Sequence, residues 1–75
     1  MAEIILTNHV KYRLLERGIS AHEVKKIAKN GQIIKIEASG IMKKAGVCSD
    51  GQRLVAVVKN YKNKIIVLTT YFKNL

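Results

Sequence analysis

The chain has no proline, no tryptophan and only one cysteine, Cys48, in its 75 residues. A single cysteine cannot close a disulfide within the chain, so a disulfide-stabilised fold is excluded and a reducing compartment is favoured. The histidines, acids and Cys48 show no spacing typical of a zinc site, and no glycine-rich phosphate loop or nucleophile elbow is present. We therefore predict no metal and no cofactor, and we interpret Cys48 as a small apolar filler.

Long apolar runs are missing as well. The longest runs, LVAVV and IIVL, fall far short of the roughly 18 consecutive apolar residues that a membrane helix requires. The N-terminal segment MAEIILTNH has too short an apolar core for a signal peptide. We therefore expect a cytoplasmic protein without a membrane partner, and a chain of 75 residues predicts one domain, residues 1–75.

Positive charge is the dominant feature of the composition. Fourteen lysines and arginines against five acids give a net charge of +9 and a pI near 10.0. Such an excess attracts polyanions through the release of counterions. By charge alone, nucleic acid is the first candidate partner, an acidic protein the second and a membrane surface the third, while the alternative is a lysine-rich surface that serves only solubility.

The first half of the chain carries helical signals. A cap at Thr7 or Asn8 begins a first helix that ends at Arg17, followed by a glycine of the kind that terminates helices. The segment SAHE, which starts at Ser20, has the capping-box pattern and begins a second helix. That second helix is predicted to end near residues 30–31.

The second half of the chain carries four strand signals. QIIKIEA alternates with a period of two, which predicts Ile34, Ile36 and Ala38 on one face of a strand. IMKKAGVC is a weaker strand pattern, whereas RLVAVVK and KIIVLTTYF are apolar enough to be central strands. Asp50 and Gly51, between the second and third of these segments, predict a type I′ hairpin.

Helices followed by strands indicate an α+β fold. We expect two N-terminal helices packed on a four-stranded antiparallel sheet whose strands follow one another as a meander. The pattern leaves open a short N-terminal edge strand over residues 3–6.

Three side chains of the first helix lie on one arc. His9, Arg13 and Arg17 are spaced four residues apart, so their head groups can converge beside the apolar stripe of Val10 and Leu14. Histidine suits proton transfer near neutral pH, and arginine donates paired hydrogen bonds to phosphate. Metal-independent RNA cleavage needs a base for the 2′-hydroxyl, an acid for the leaving oxygen and cations for the phosphate.

The last strand offers a second set of polar groups. Thr69 and Tyr71 are predicted to share one face with Ile65 and Val67. If that face meets the first helix, the two hydroxyls would orient the substrate or assist proton transfer. The alternative is that the helical arc is only a solvated charged face whose arginines pair with nearby acids.

Further basic residues form a predicted electrostatic track for an RNA backbone. The alternative for each of them is an ordinary surface position. The track comprises Lys25, Lys26 and Lys29 on the second helix, Lys43 and Lys44 on the weak strand, and Arg53.

Two segments resemble a known family along almost the whole chain. LTNHVKYRLLERGIS near the start and IIVLTTYF at the end are similar to the family catalogued as domain of unknown function 4258. The family commonly has alanine after the histidine, where this chain has Val10, a conservative change. The positions that match the family pattern are Thr7, His9, Arg13, Glu16, Arg17, Gly18, Ile19, Ser20, Thr69 or Thr70, and Tyr71.

This family resembles the barnase, EndoU, colicin and RelE-like group, an α+β fold rich in metal-independent ribonucleases, many of them toxins. The resemblance implies that His9, Arg13, Arg17 and the end of the last strand are functional positions. The expected function is that of a small RNA-directed protein, a metal-independent endoribonuclease of the toxin type with an acidic antitoxin-like partner. The alternatives are a non-catalytic module that binds RNA or an acidic protein, and an interaction domain that self-associates through a sheet edge.

Overall fold

The structure is a computed structural model and describes residues 3–73. A short 3₁₀ turn, Ala38–Gly40, joins the second and third strands. The elements in chain order are β1 (Glu3–Leu6), α1 (Asn8–Arg17), α2 (Ala21–Asn30), β2 (Gln32–Ile36), β3 (Ile41–Val47), β4 (Arg53–Asn60) and β5 (Lys64–Phe72).

Within residues 3–73 the sheet has five strands in the order β1-β5-β4-β3-β2. Strands β2 to β5 form the expected antiparallel meander, and the α+β class is confirmed. β1 is an edge strand that pairs parallel to β5, with Glu3 opposite Lys64 and Leu6 opposite Val67. The possible edge strand over residues 3–6 is thus present as β1, but the sheet is mixed and five-stranded rather than a four-stranded antiparallel one, because β1 pairs parallel with a strand at the other end of the chain.

Local capping explains where the helices begin and end. The Thr7 side-chain oxygen accepts a hydrogen bond from the Val10 N–H at 3.2 Å, and Gly18 ends α1 in the left-handed region with φ 66°. The Ser20 hydroxyl accepts from the His22 N–H at 3.2 Å and begins α2. Glu23 does not return to Ser20 as a capping box would, because its carboxylate binds elsewhere.

Both helices pack on one face of the sheet. The buried side chains Val10 and Leu14 of α1 and Val24 and Ile27 of α2 form one cluster with alternate residues of β4 and β5. Gly46 in β3 permits this close approach, because a Cβ there would lie 2.7 Å from the Ile27 side chain. The strand residues of the cluster are Leu6, Leu54, Ala56, Val58 and Val67, with Ile4, Met42, Ile65 and Phe72 packed against it.

A β-bulge in β5 changes which face its side chains occupy. Val58 pairs with Val67, but the next residue of β4, Val57, pairs with Thr69, so Leu68 is the extra residue of β5. Val67 therefore faces the helices while Thr69 faces away from them. The prediction that Thr69 and Tyr71 share a face with Ile65 and Val67 is wrong, because the bulge reverses the alternation between residues 67 and 69.

Two further local predictions are corrected. β2 has no buried face: Ile36 is 72% exposed, and a register shift between Ile33 and Lys35 interrupts its alternation. The β3–β4 hairpin is where the sequence indicates it, but Asp50 does not have the positive φ that a type I′ turn requires. The N–H of Gly51 instead donates to the Cys48 carbonyl at 2.9 Å, as in a type I turn closed by a left-handed glycine.

Candidate functional site

Helix α1 runs beside the half of β5 that β1 does not pair with. At its start the Thr7 N–H donates to the Val67 carbonyl at 3.5 Å. At its end Arg17 lines the same cavity as Phe72, the last residue of β5. The pairing of β1 with β5 stops at Val67. The helix carrying His9, Arg13 and Arg17 therefore lies near β5, but on the face of the sheet opposite to the side chains of Thr69 and Tyr71, so the expected meeting of that face with the first helix is not observed.

The three side chains of the α1 arc lie in different environments. His9 and Arg17 are exposed, whereas Arg13 is half-buried. The Nε of Arg13 has no solvent-exposed surface, and it has no hydrogen-bond partner within residues 3–73. Arg13 is therefore held against the protein rather than on a freely solvated face. A buried donor without a partner costs free energy, which makes Arg13 the member of the arc that most needs a functional explanation.

The sheet face that points away from the helices, called the outer face below, holds the polar groups of β5. Its central residues are Lys43 of β3, Val55 and Val57 of β4, and Thr69 and Tyr71 of β5, which are neighbours in strand register. Val55 is fully buried although it lies outside the helix-covered cluster, so the side chains around it on this face must cover it. The Lys43 ammonium lies 5.9 Å from the centre of the Tyr71 ring. Thr69 and Tyr71 thus do share one face, as predicted, and it is the uncovered one.

The two threonines that match the family pattern lie on opposite faces of the sheet. Thr70 is 4% exposed and pairs with Ala56 on the helix-covered face, whereas Thr69 is half-buried beside Val57. Only the Thr69 hydroxyl is therefore placed for contact with a ligand on the outer face.

Basic residues surround this centre on four of the five strands, β2 to β5. Strand alternation places Arg53 and Lys59 on the side of Val55 and Val57, and Arg53 shares a small cavity with Lys73. The ammonium groups of Lys59 and Lys64 each lie 5.4 Å from the centre of the Tyr61 ring. Lys43 and Arg53 belong to the predicted track, whereas the other four members were not predicted. Together the set is Lys35, Lys43, Arg53, Lys59, Lys64 and Lys73.

Lys44 is not part of that surface, contrary to the prediction. It is 9% exposed and lies on the helix-covered face, where its ammonium donates to the carbonyls of Ala28 at 2.9 Å and Lys29 at 3.5 Å. A cation at this position donates hydrogen bonds to carbonyls in the last turn of α2 and is attracted by the negative end of the helix dipole. Lys44 is therefore a structural residue and offers no charge to a phosphate.

The predicted track of basic residues does not form one surface. Lys25, Lys26 and Lys29 are exposed on α2, in the helical layer, while Lys43 and Arg53 lie on the opposite side of the sheet. An RNA strand on the outer face would meet the second group and not the first.

A separate cavity of about 500 Å³ lies where the α1–α2 junction meets the β3–β4 hairpin, and Arg17, His22 and Glu23 are among the residues that line it. The Glu23 carboxylate accepts a hydrogen bond from the Ser49 N–H at 2.8 Å. Hydrogen bonds from Ser49, with a smaller effect of Cys48, hold the pKa of Glu23 below its usual value. Glu23 thus ties α2 to the hairpin.

Cys48 is buried in the core and behaves as the predicted apolar filler. Burial, together with the hydrogen bond and negative charge of Glu23, raises the pKa of its thiol from 9.0 to about 11. A thiol with this pKa is uncharged at neutral pH and is therefore a poor nucleophile.

Alkylation of Cys48 should therefore be slow in the folded protein. At pH 8 we expect iodoacetamide to react about a hundredfold more slowly than with the urea-unfolded chain, because two pKa units reduce the thiolate about a hundredfold. Glu23→Gln should speed the reaction, since it removes the negative charge that opposes ionisation. Equal rates in the folded and unfolded chains, followed by mass spectrometry, would contradict the burial of this thiol.

The described residues 3–73 contain no group of three or more histidine, cysteine, aspartate or glutamate side chains able to hold a metal ion. None of the helices in the same range combines the length and apolar character that crossing a bilayer requires.

Comparison with known proteins identifies the family. No curated protein and no solved structure matches the chain. Residues 6–72 match the family model described as domain of unknown function (DUF4258). The matched range begins at the end of β1 and ends at the last residue of β5, so it includes α1 and every residue of the candidate site except Lys73. The chain therefore belongs to the DUF4258 family.

Proposed function

We propose that the protein binds RNA on the outer face of its sheet and is a metal-independent endoribonuclease of the toxin type. The observation that supports this proposal best is the half-buried Tyr71 beside Lys43, at the centre of a face where five of the six basic residues come from four strands. An aromatic ring flanked by cations suits a single-stranded nucleic acid, because a base stacks on the ring while ammonium groups contact the phosphates.

The proposed catalytic step uses the arc of His9, Arg13 and Arg17 on α1, a helix that packs on the opposite face of the sheet. His9 removes the proton of a 2′-hydroxyl, the 2′-oxygen attacks the adjacent phosphorus, and the bond to the 5′-oxygen breaks. The leaving oxygen takes a proton, for which the Tyr71 hydroxyl is a candidate donor, and the product is a 2′,3′-cyclic phosphate. Arg13 and Arg17 would neutralise the phosphate, and Thr69 would orient the substrate.

A non-catalytic module that binds RNA is the second candidate. It is favoured by the distribution of the residues, since the cations and Tyr71 lie on the sheet while His9 is an exposed residue of α1. An acidic, antitoxin-like protein remains a proposed second partner for either function, because a net charge of +9 favours acidic surfaces.

Replacing Tyr71 tests the RNA surface that both candidates share. Tyr71→Leu should weaken binding of a fluorescent single-stranded RNA about 5- to 150-fold, since stacking of one base is worth roughly 1–3 kcal/mol. Fluorescence anisotropy at low salt measures this loss.

Tyr12→Leu is the matched control, because Tyr12 is 66% exposed on α1 and lies away from the outer face. It should bind RNA as the unaltered protein does, and circular dichroism should show both variants folded. Equal affinities for the two variants, or no RNA binding at low salt, would remove the outer face from the proposal.

A further inference from the structure

A groove of about 560 Å³ lies on the helix-covered side of the sheet, between the edge strand β1 and the two helices. We call it the edge groove. Its apolar lining comes from Ile4 and Leu6 of β1, Leu14 and Leu15 of α1, and Ile19 before α2. This groove contains neither the α1 arc nor any basic residue of the outer face.

The side chain of Leu15 leaves an apolar part of the edge groove exposed. It is 83% exposed, while its neighbour Leu14 is 4% exposed in the core. An exposed leucine on its own is ordinary, but here it continues a concave surface made by Ile4 and Ile19. The groove therefore has apolar area left to bury against a partner.

The backbone of β1 adds a directional feature to this surface. The Glu3 N–H donates to the Asn63 carbonyl at 3.1 Å, and the Thr7 N–H donates to the Val67 carbonyl at 3.5 Å. Both N–H groups therefore point towards β5. Since the N–H and C=O groups of successive residues point to alternate sides of a strand, the N–H and C=O groups of Ile4 and Leu6 point away from β5, to the free edge of the sheet. Within residues 3–73 no strand pairs with that edge.

The charged residues that line the edge groove indicate which kind of partner could bind there. Lys11 and Lys25 line the groove on the helical side, and Glu3 lies at one end of β1. A second copy of this chain would bring another net charge of +9 to the same place, which repulsion disfavours. An acidic segment would instead be attracted by both lysines.

We propose that the edge groove binds an extended segment of an acidic partner protein, which adds to the sheet as a sixth strand beside β1. Alternate side chains of such a segment are apolar and pack against Leu15 and Ile19, and acidic residues between them pair with Lys11 and Lys25. This is strand addition, in which backbone hydrogen bonds give affinity and side-chain pockets give specificity. The proposal does not depend on RNA binding, because the two surfaces share none of the residues that carry them.

A synthetic peptide in which leucine and glutamate alternate is the probe for this surface. Titrated into the ¹⁵N-labelled protein, it should shift the amide signals of Ile4, Leu6 and Leu15, and the β1 amides that face the free edge should become protected from hydrogen exchange. Leu15→Glu should weaken peptide binding about tenfold or more, because it places a like charge in the apolar centre of the groove.

Ile36→Glu is the matched control. Ile36 is 72% exposed on β2, the opposite edge of the sheet, so this variant loses an exposed apolar side chain without touching the groove. It should bind the peptide as the unaltered protein does. A third arm uses the same peptide with lysine in place of glutamate, which should not bind.

Three results would overturn the proposal. One is an equal loss of affinity in Leu15→Glu and Ile36→Glu, or signal shifts confined to β2. Another is equal binding of the lysine peptide, which would remove the acidic character of the partner. The third is a concentration-dependent dimer that Leu15→Glu abolishes, which would assign the groove to a second copy of this chain.

Discussion

Replacing Lys44 with alanine should lower the free energy of unfolding by about 2–4 kcal/mol, whereas the same change at Lys43 should leave it almost unchanged. Loss of the Lys44 ammonium leaves the Ala28 carbonyl at the end of α2 without its donor in a buried position. The lost methylene stem adds a packing defect beneath the helix. Lys43 lies on the outer face, where water replaces whatever its ammonium contacts. Urea unfolding followed by circular dichroism measures both values.

The same pair of variants should have the opposite order of effects on RNA binding. Lys43→Ala removes a cation beside Tyr71, so it should weaken binding at low salt and reduce the salt dependence of the binding constant by about one ion. Lys44→Ala, measured where it is still folded, should bind RNA normally. A loss of RNA affinity in the Lys44 variant equal to that in the Lys43 variant would contradict their assignment to opposite faces.

This pair also shows where the sequence stops predicting the structure. Adjacent residues of a strand must point to opposite faces, so one of the two lysines had to face the helices. Which of them does so depends on the contact of Lys44 with the end of α2, sixteen residues earlier in the chain. That contact is tertiary and has no local signal in MKKAG.

Helix ends and turns were predictable because their causes are local. Thr7, Ser20 and Gly18 cap the two helices where the sequence indicates, through bonds to residues at most four positions away. Asp50 and Gly51 likewise locate the β3–β4 hairpin, although the turn type differs. The direction of β1 was not predictable in this way, because its partner β5 is about sixty residues distant.

The bulge at Leu68 limited the prediction of the site itself. A period of two assigns Thr69 to the face of Val67, and one inserted residue reverses that assignment for the rest of the strand. The segment KIIVLTTYF contains no glycine or proline that would indicate such an irregularity. Arg53 and Lys59, in contrast, lie on an uninterrupted stretch of β4, so alternation with Val55 and Val57 would have identified both as outer-face residues.

Replacing His9 with alanine should reduce RNA cleavage about 10²- to 10⁴-fold if the imidazole performs the proton transfer, while RNA affinity stays nearly constant. The substrate is an end-labelled RNA in EDTA, and the product to identify is the 2′,3′-cyclic phosphate. His22→Ala is the matched control, since His22 is an exposed histidine in the first turn of α2 and should retain full activity.

Replacing Arg13 distinguishes most clearly between the proposed ribonuclease and the non-catalytic RNA-binding module. Arg13→Lys keeps the charge but loses the planar fork and the enclosed Nε, so cleavage should fall more than binding does. If instead the unaltered protein, His9→Ala and Arg13→Lys all bind RNA equally and none yields the cyclic phosphate, the protein is the non-catalytic module. Cleavage that persists unchanged in both variants would place the reaction outside α1, because neither the proposed base nor the proposed phosphate ligand would then be required.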